Sequence, residues 1–283
     1  MVDFRNVWSD TSFSAEYVTA RVKARFLAPY HRLGGAWQSR APASFGAARR
    51  VLRGSAEPAP PPALPPMGGT VVCDGIEMRI DPRMSEHNIR KLMSGRHTQH
   101  ERTLLRDALV DGDRVMELGG GIGMVAISCA QRLGGENVAS YEASPKMEPL
   151  IRDNYALNGV SPTLTMAMVG ETAGTRTFHV SERFSRSSAH HSEGETVPVE
   201  IPVLALGSEM ARHRPTVLVC DIQGGETELF QFADLSGLRL VLVEIHPDMI
   251  GIGAATAVKR RIRSWGFREI GRAGQSFLFR RVD

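Results

Sequence analysis

The residue types with the most chemical potential fall in one short stretch. Glu117-Leu118-Gly119-Gly120-Gly121-Ile122-Gly123 sets a carboxylate near the end of an apolar run and then a glycine at every second position before a helical pattern opens. Glycine, lacking a Cβ, lets the main chain turn through positive φ and come close to a ligand. The start of a helix adds N–H groups that no intrahelical carbonyl takes up. A second apolar run, Val138 to Tyr141, closes on Glu142. A carboxylate at the end of a second strand can accept both ribose hydroxyls of a bound nucleoside.

Two cofactor classes fit this arrangement. Gly121-Ile122-Gly123-Met124-Val125-Ala126 satisfies the dinucleotide pattern GxGxxA, with the acid of Glu142 at the required distance. That frame points to an NAD-dependent oxidoreductase, but it leaves Glu117, Gly119 and Gly120 without a role and starts the helix late. The frame E-x-G-x-G-x-G uses them all, with Glu117, Gly119, Gly121, Gly123 and Glu142 around S-adenosylmethionine and no pyrophosphate to bind. The S-adenosylmethionine frame explains more of the stretch, and NAD stays as the alternative.

These residues need a scaffold, and the chain supplies one from about Thr70 onward. Thr70–Cys73 and Ile76–Ile80 flank Asp74-Gly75, the signal of a hairpin with a type I′ turn. Residues 86–110 have a helical pattern. Strands are expected at 114–118, 138–142, 164–169, 217–221, 240–245, 267–270 and 276–281, and helices at 122–133, 145–158, 227–232 and 254–265. Two further extended runs, 176–180 and 196–203, flank a polar loop that holds His190-His191. Strands alternating with helices predict a mainly parallel sheet covered on both faces. In such sheets ligands lie beyond the carboxyl ends of the strands, where Glu117, Glu142, Asp221, Glu244 and His246 all fall.

Composition bounds the rest. The chain has 283 residues with 34 basic and 31 acidic side chains, and nine basic against four acidic belong to residues 1–67. The basic excess thus lies in an N-terminal arm, which ends in PAPPPALPP and carries a short helical pattern from Phe13 to Phe26. The body has no such excess, which argues against nucleic acid as the partner; an arm-dependent nucleic-acid methyltransferase would bind with a steep salt dependence. Three dispersed cysteines suit neither a disulfide framework nor structural zinc and fit a cytoplasmic setting. No apolar run is long enough to span a membrane. The expected organisation is an arm over 1–67, a hairpin and entry helix over 68–110, and a cofactor-binding domain over 111–283, with a homodimer as the candidate assembly.

Asp221-Ile222-Gln223-Gly224-Gly225-Glu226 after the fourth strand and Glu244-Ile245-His246-Pro247 after the fifth resemble the FkbM-type methyltransferase family, in which the fourth strand ends in D-[VI]-[EQ]-G-x-E and the fifth in an acid followed by a histidine turn. Asn154 and Asn158 match the family's N-x3-N helix ending. Gly95 to Glu101 is similar to its G-x-[YF]-E-x2-E entry helix, with Arg96-His97-Thr98 standing where an aromatic and a first acid are usual. The resemblance spans about residues 70–280. It implies a Rossmann-like class I methyltransferase sheet, mostly parallel and seven-stranded with an antiparallel last strand. It also implies S-adenosylmethionine as cofactor, a cofactor-side role for Glu101, and O-methylation of a hydroxyl on a sugar or secondary metabolite.

Methyl transfer from a sulfonium needs alignment and removal of the acceptor proton. His246, titrating near neutrality, is the candidate base, and Asp221 is the candidate for binding the acceptor or orienting the base; Asp221 also borders the cofactor. Glu226 at a helix start is accounted for by the helix dipole alone. Asp221, Glu244 and His246 form a chemically reasonable set for a divalent cation. Pro247 ends the strand that would keep Glu244 and His246 on one face, so no metal is expected.

Overall fold

A computed structural model describes residues 62–181 and 196–282. The helix expected near Phe13–Phe26 and the loop with His190-His191 lie outside the described residues. The hairpin pairs β1 (Thr70–Cys73) with β2 (Ile76–Arg79) in antiparallel register. Its turn residues Asp74 and Gly75 have φ of 51° and 80°, as a type I′ turn requires. The helical stretch that follows is two helices, α1 (Glu86–Met93) and α2 (Gln99–Arg106). Gly95 and Thr98, both at positive φ, break it between them.

The main body alternates as expected: β3 (Val115–Leu118), α3 (Met124–Leu133), β4 (Val138–Glu142), α4 (Glu148–Leu157) and β5 (Thr163–Met166). β6 (Met168–Gly170), β7 (Gly174–Ser181) and β8 (Thr196–Ala205) follow, then α5 (Leu206–His213), β9 (Val217–Cys220) and α6 (Glu226–Phe232). The chain closes through β10 (Leu240–Glu244), α7 (Pro247–Ser264), β11 (Phe267–Ala273) and β12 (Ser276–Arg281). Seven of these strands form one sheet in the order β11-β12-β10-β9-β3-β4-β5. β12 runs antiparallel between β10 and β11, and the links β10–β9–β3–β4–β5 are all parallel.

Two expectations are corrected. Residues 164–169 do not form one strand: Ala167 N–H donates back to Thr165 O, a tight turn that leaves β5 in the main sheet and sends β6 into a separate three-stranded sheet, β6-β8-β7. The last long helix begins at Pro247 instead of Ala254, and it bends where Gly251 takes φ 82° and ψ 155°. Helix α5 is an addition to the expected elements.

Strand alternation puts apolar side chains on both faces. Val217 and Val219 of β9, with Leu240 and Leu242 of β10, face a core shared with the hairpin, α1, α2 and α3. Leu218, Cys220, Val241 and Val243 face a second core against α6 and α7. The three cysteines are buried and unpaired. No helix among the described residues is long and apolar enough to cross a membrane.

Three polar side chains lock this frame. At the amino ends of the central strands, Asp113 is almost wholly buried and accepts from Thr216 Oγ1 at 2.7 Å, Val110 N at 2.9 Å and the Arg239 guanidinium. One carboxylate thus joins the approaches to β3, β9 and β10. On the other side of β3, Asn158 pairs with both N–H and C=O of Glu77, at 2.9 and 2.7 Å. Asn154, fully buried, accepts from Arg79 N at 2.8 Å and donates to Ile122 O at 2.9 Å. The N-x3-N ending of α4 therefore behaves as an extra edge for β2 and ties the hairpin to the glycine loop.

Arg239, aided by the Val110 N–H and Thr216 hydroxyl, holds the Asp113 carboxyl below its usual range against the opposing effect of burial. The unfolded chain therefore takes up this proton first as pH falls. The stabilisation is complete above the unfolded value of about 3.9 and is lost as pH drops through the lower folded value. Asp113→Ala is expected to cost about 3 kcal/mol at pH 7, measured by urea unfolding, and the gap to the wild type should narrow below about pH 4. A gap that is constant with pH would refute the assignment. Asn154→Ala, which strands a buried N–H and a buried carbonyl, should cost about 2 kcal/mol in the same assay, and a change within experimental error would show that the hairpin docks by apolar contact alone.

Candidate active site

The sheet order reverses between β3 and β9, and the site lies there, beyond the carboxyl ends of the strands. The glycine loop leaves β3 with Gly119 at φ 91°, Gly121 at φ 57° and Gly123 at φ 86°. Each has its own constraint. A Cβ on Gly119 would stand 1.8 Å from Asp221 O, and one on Gly123 would meet the Tyr155 ring at 2.9 Å. A Cβ on Gly121 would meet nothing within 4 Å, so the loop is open at that point.

Glu142 holds the loop from the β4 side. Its Oε2 accepts from Gly121 N at 2.8 Å and its Oε1 from Ser144 N at 2.7 Å. Burial raises its pKa even so, with those N–H groups opposing. Glu117 follows Val115 onto the α3 side of β3. It is bonded to the Ser140 hydroxyl and to the Ala126 N–H at the start of α3. Burial and the nearby Glu142 push its carboxyl up to about 8. It braces β3 against β4 beneath the loop.

A second constellation forms across the switch point. His246 caps the start of α7, just past β10, and its Nδ1 lies 2.8 Å from Glu226 Oε1. Its Nε2 lies 3.7 Å from Asp221 Oδ1 and 3.9 Å from Glu244 Oε2. Although β10 ends at Glu244, the turn at His246 (φ −104°, ψ 80°) still brings the imidazole back over the strand end. Asp221, Glu244 and His246 each offer a ligand atom within 4.8 Å of the others, so the strand break does not separate them.

The turn after β9 is shaped for this convergence. Gln223 and Gly224 both take positive φ, and Gly224 N donates to Glu226 Oε1 at 3.1 Å. Glu226 is fully buried and serves as the acceptor for His246, a role that the helix-dipole account of the sequence misses. The spacing D-x4-E across a glycine turn was the available signal.

Electrostatics bind the group together. Burial opposes a charge on His246, but the Glu226 hydrogen bond and the charges of Asp221 and Glu244 overcome it and lift the imidazole to about 9. Burial, then Glu244, raises the Asp221 carboxyl well above its ordinary value. Glu101 joins this group from α2. It is buried, accepts from the Ser276 hydroxyl of β12, and its charge raises the pKa of Glu244 and Asp221. The predicted residues thus fall into two sets. Gly119, Gly121, Gly123, Glu117 and Glu142 belong to the loop, and Glu101, Asp221, Glu244 and His246 belong to the acidic cluster, with Gly119 touching Asp221 between them.

Solved structures similar to this chain share few of its residues. They include a precorrin-6y C5,15-methyltransferase from Geobacter metallireducens (14% identity, TM-score 0.38, covering 63% of this chain and 83% of that one). A ribosomal protein L11 methylase from Lactobacillus delbrueckii subsp. bulgaricus (17%, 0.38, 67% and 82%) and a methyltransferase from Pyrococcus furiosus (14%, 0.37, 64% and 80%) are similar at the same level. No curated protein matches the sequence. Residues 120–269, more than half of the chain, match the family described as the methyltransferase FkbM domain. That span contains Glu142 of the loop set and Asp221, Glu226, Glu244 and His246 of the acidic set, and the chain belongs to this family of S-adenosylmethionine-dependent methyltransferases.

Proposed function

We propose that this methyltransferase transfers its methyl group to a hydroxyl of a small molecule, a sugar or a secondary metabolite. One observation carries the reading: Gly119 of the cofactor loop lies against the Asp221 carbonyl, so a cofactor on the loop and an acceptor at the acidic cluster are neighbours. The loop residues suit the cofactor. Gly121 leaves an open backbone position, and Glu142 is fixed beside it by two N–H donors. Gly119, Gly121, Gly123 and Glu142 would hold S-adenosylmethionine, with Glu117 bracing the loop from below. Glu101, whose charge acts on Asp221 and Glu244, would serve the acceptor side.

When bound, the cofactor supplies a methyl group on a sulfonium, which an oxygen attacks in line. The chain's part is to seat the acceptor, exclude water and dispose of one proton. As the O–CH3 bond forms and the S–CH3 bond breaks, the hydroxyl proton leaves from an oxygen held at Asp221 and His246. The carboxylates and the imidazole there can receive or relay that proton as the oxygen attacks. The lack of a basic excess in residues 68–283 favours a small acceptor over a nucleic acid.

Titration calorimetry of the full chain tests the cofactor half. S-adenosylhomocysteine should bind and NAD should not. Glu142→Gln, which removes a charged acceptor for ribose hydroxyls, should weaken binding about tenfold, and Gly119→Ala should abolish it. Incubation with 13C-methyl-labelled S-adenosylmethionine and panels of sugars, polyketides and RNA tests the acceptor half. Label appearing as a methyl ether on a hydroxylated small molecule supports the reading, and label confined to RNA would overturn it.

A further inference from the structure

We infer that Asp221, Glu244 and His246 form a binding site for one divalent cation of the Mn2+/Mg2+ class. The set is two carboxylate oxygens and one imidazole nitrogen, from the ends of two adjacent parallel strands, with the three atoms within 4.8 Å of one another. Oxygen-rich sets with a single imidazole suit hard or borderline cations of octahedral preference.

Three further observations point to a cation here and not simply to a crowd of acids. The first is the histidine's orientation. Glu226, fully buried, fixes Nδ1 at 2.8 Å and turns Nε2 toward the two carboxylates. A carboxylate on the far nitrogen is the arrangement by which proteins set the tautomer and aim of a metal-binding imidazole. The second is spacing. Nε2 stands 3.7 and 3.9 Å from the nearest oxygens of Asp221 and Glu244, too far for a hydrogen bond to either. Adjacent ligands of an ion bonded at about 2.1 Å stand about 3 Å apart, so a cation would draw the imidazole and each of these two oxygens together by less than about 1 Å.

The third is unmet polarity. Asp221 Oδ1 is buried with no hydrogen-bond partner among the described residues, although it is the oxygen that faces Nε2. Around the His246 imidazole stand Asp221, Glu226, Glu244 and, from α2, Glu101, with His100 of α2 also acting on Glu244. Among the described residues, neither Lys nor Arg forms an ion pair with any of the four. Four carboxylates, two of them buried and two part-buried, call for a compensating positive charge. A divalent ion supplies it at the place where two of them converge on the imidazole.

What the cation does rests on the O-methyltransferase reading above. An ion with three protein ligands keeps positions free for one or two oxygens of the acceptor. Held there, an acceptor hydroxyl loses its proton to solvent more readily, and the resulting alkoxide takes the methyl group as the S–CH3 bond breaks. His246 then positions the acceptor through the ion and does not remove the proton itself. A diol or α-hydroxy carbonyl, able to chelate, is the acceptor chemistry that this site favours.

The test is Mn2+ titration of the full chain after dialysis against a chelator, followed by the EPR signal of free Mn2+, with S-adenosylhomocysteine binding measured in parallel by calorimetry. One saturable Mn2+ site is expected, competed by Mg2+. Glu244→Gln and His246→Asn should each weaken Mn2+ at least tenfold, and Glu226→Gln, which loosens only the orientation of the imidazole, should weaken it less. S-adenosylhomocysteine affinity should stay within twofold in all three variants, which also reports that each has folded. Absence of a saturable Mn2+ site in the wild type, or affinity unchanged in both Glu244→Gln and His246→Asn, overturns the inference. Loss of S-adenosylhomocysteine binding by the wild type with Mn2+ binding intact would instead overturn the methyltransferase reading and leave the cation site standing.

Discussion

The rest of the site depends on one backbone contact. Gly119 carries no Cβ because Asp221 O occupies the place where a Cβ would be. This is the meeting of the first strand's loop with the end of β9, at the point where the sheet order turns back on itself. Parallel strands that wind outward in opposite directions leave a crevice there. How wide that crevice is depends on how closely the two strand ends approach. A glycine with φ of 91° lets them touch main chain to main chain, so the cofactor loop and the acidic cluster become parts of one cleft. The close approach is a property of the pair: neither the glycine frame nor the Asp221–Glu226 motif implies it alone.

The two ends of the sheet treat buried acids in opposite ways, and the contrast locates function. At the amino ends, Asp113 meets Arg239, a threonine hydroxyl and an N–H, so its charge is fully answered and its pKa falls. At the carboxyl ends, part-buried Asp221 and Glu244 lie beside each other and Glu101, and burial with this crowding raises their pKa values against the relief of His246 and, for Glu244, of His100. A fold selected for stability alone would pair or remove such groups, since breaking even solvation of a buried carboxylate is unfavourable. Carboxylates kept at high energy around one imidazole are the mark of a site that a ligand completes.

How much of this was legible follows from which forces are local. The parallel strands were, because two buried faces write continuous apolar runs such as Val217–Cys220 and Leu240–Val243. The glycine loop and Glu142 were, because positive φ and close approach leave a residue-type signature. The break between β5 and β6 was not, since Leu164–Val169 is uniformly strand-like and the turn at Ala167 is imposed by the second sheet. Nor was the role of Asn154 and Asn158. Their spacing is visible, but their partners on β2 are more than 70 residues away. His246 falls between these cases. Pro247 correctly signals the end of the strand, yet the side chain's direction is set by Glu226 from another helix, which no pattern within β10 records.

Helix α6 explains why that direction is stable. Its first turn carries Glu226 and Glu228 two residues apart, so the side chains diverge. Glu226 points inward to His246, and Glu228 points outward to Arg176 of the second sheet, which donates to it through both terminal nitrogens. An exposed pair of this kind contributes at most about 1 kcal/mol, so its value is positional. With the burial of Leu229 and Phe230 in the second core, it sets the rotation of a seven-residue helix whose start has no side-chain cap, and a rotation of α6 would carry Glu226 off the imidazole. The small sheet β6-β8-β7 thereby touches, through Arg176, the helix that orients the histidine, without contributing a reacting group.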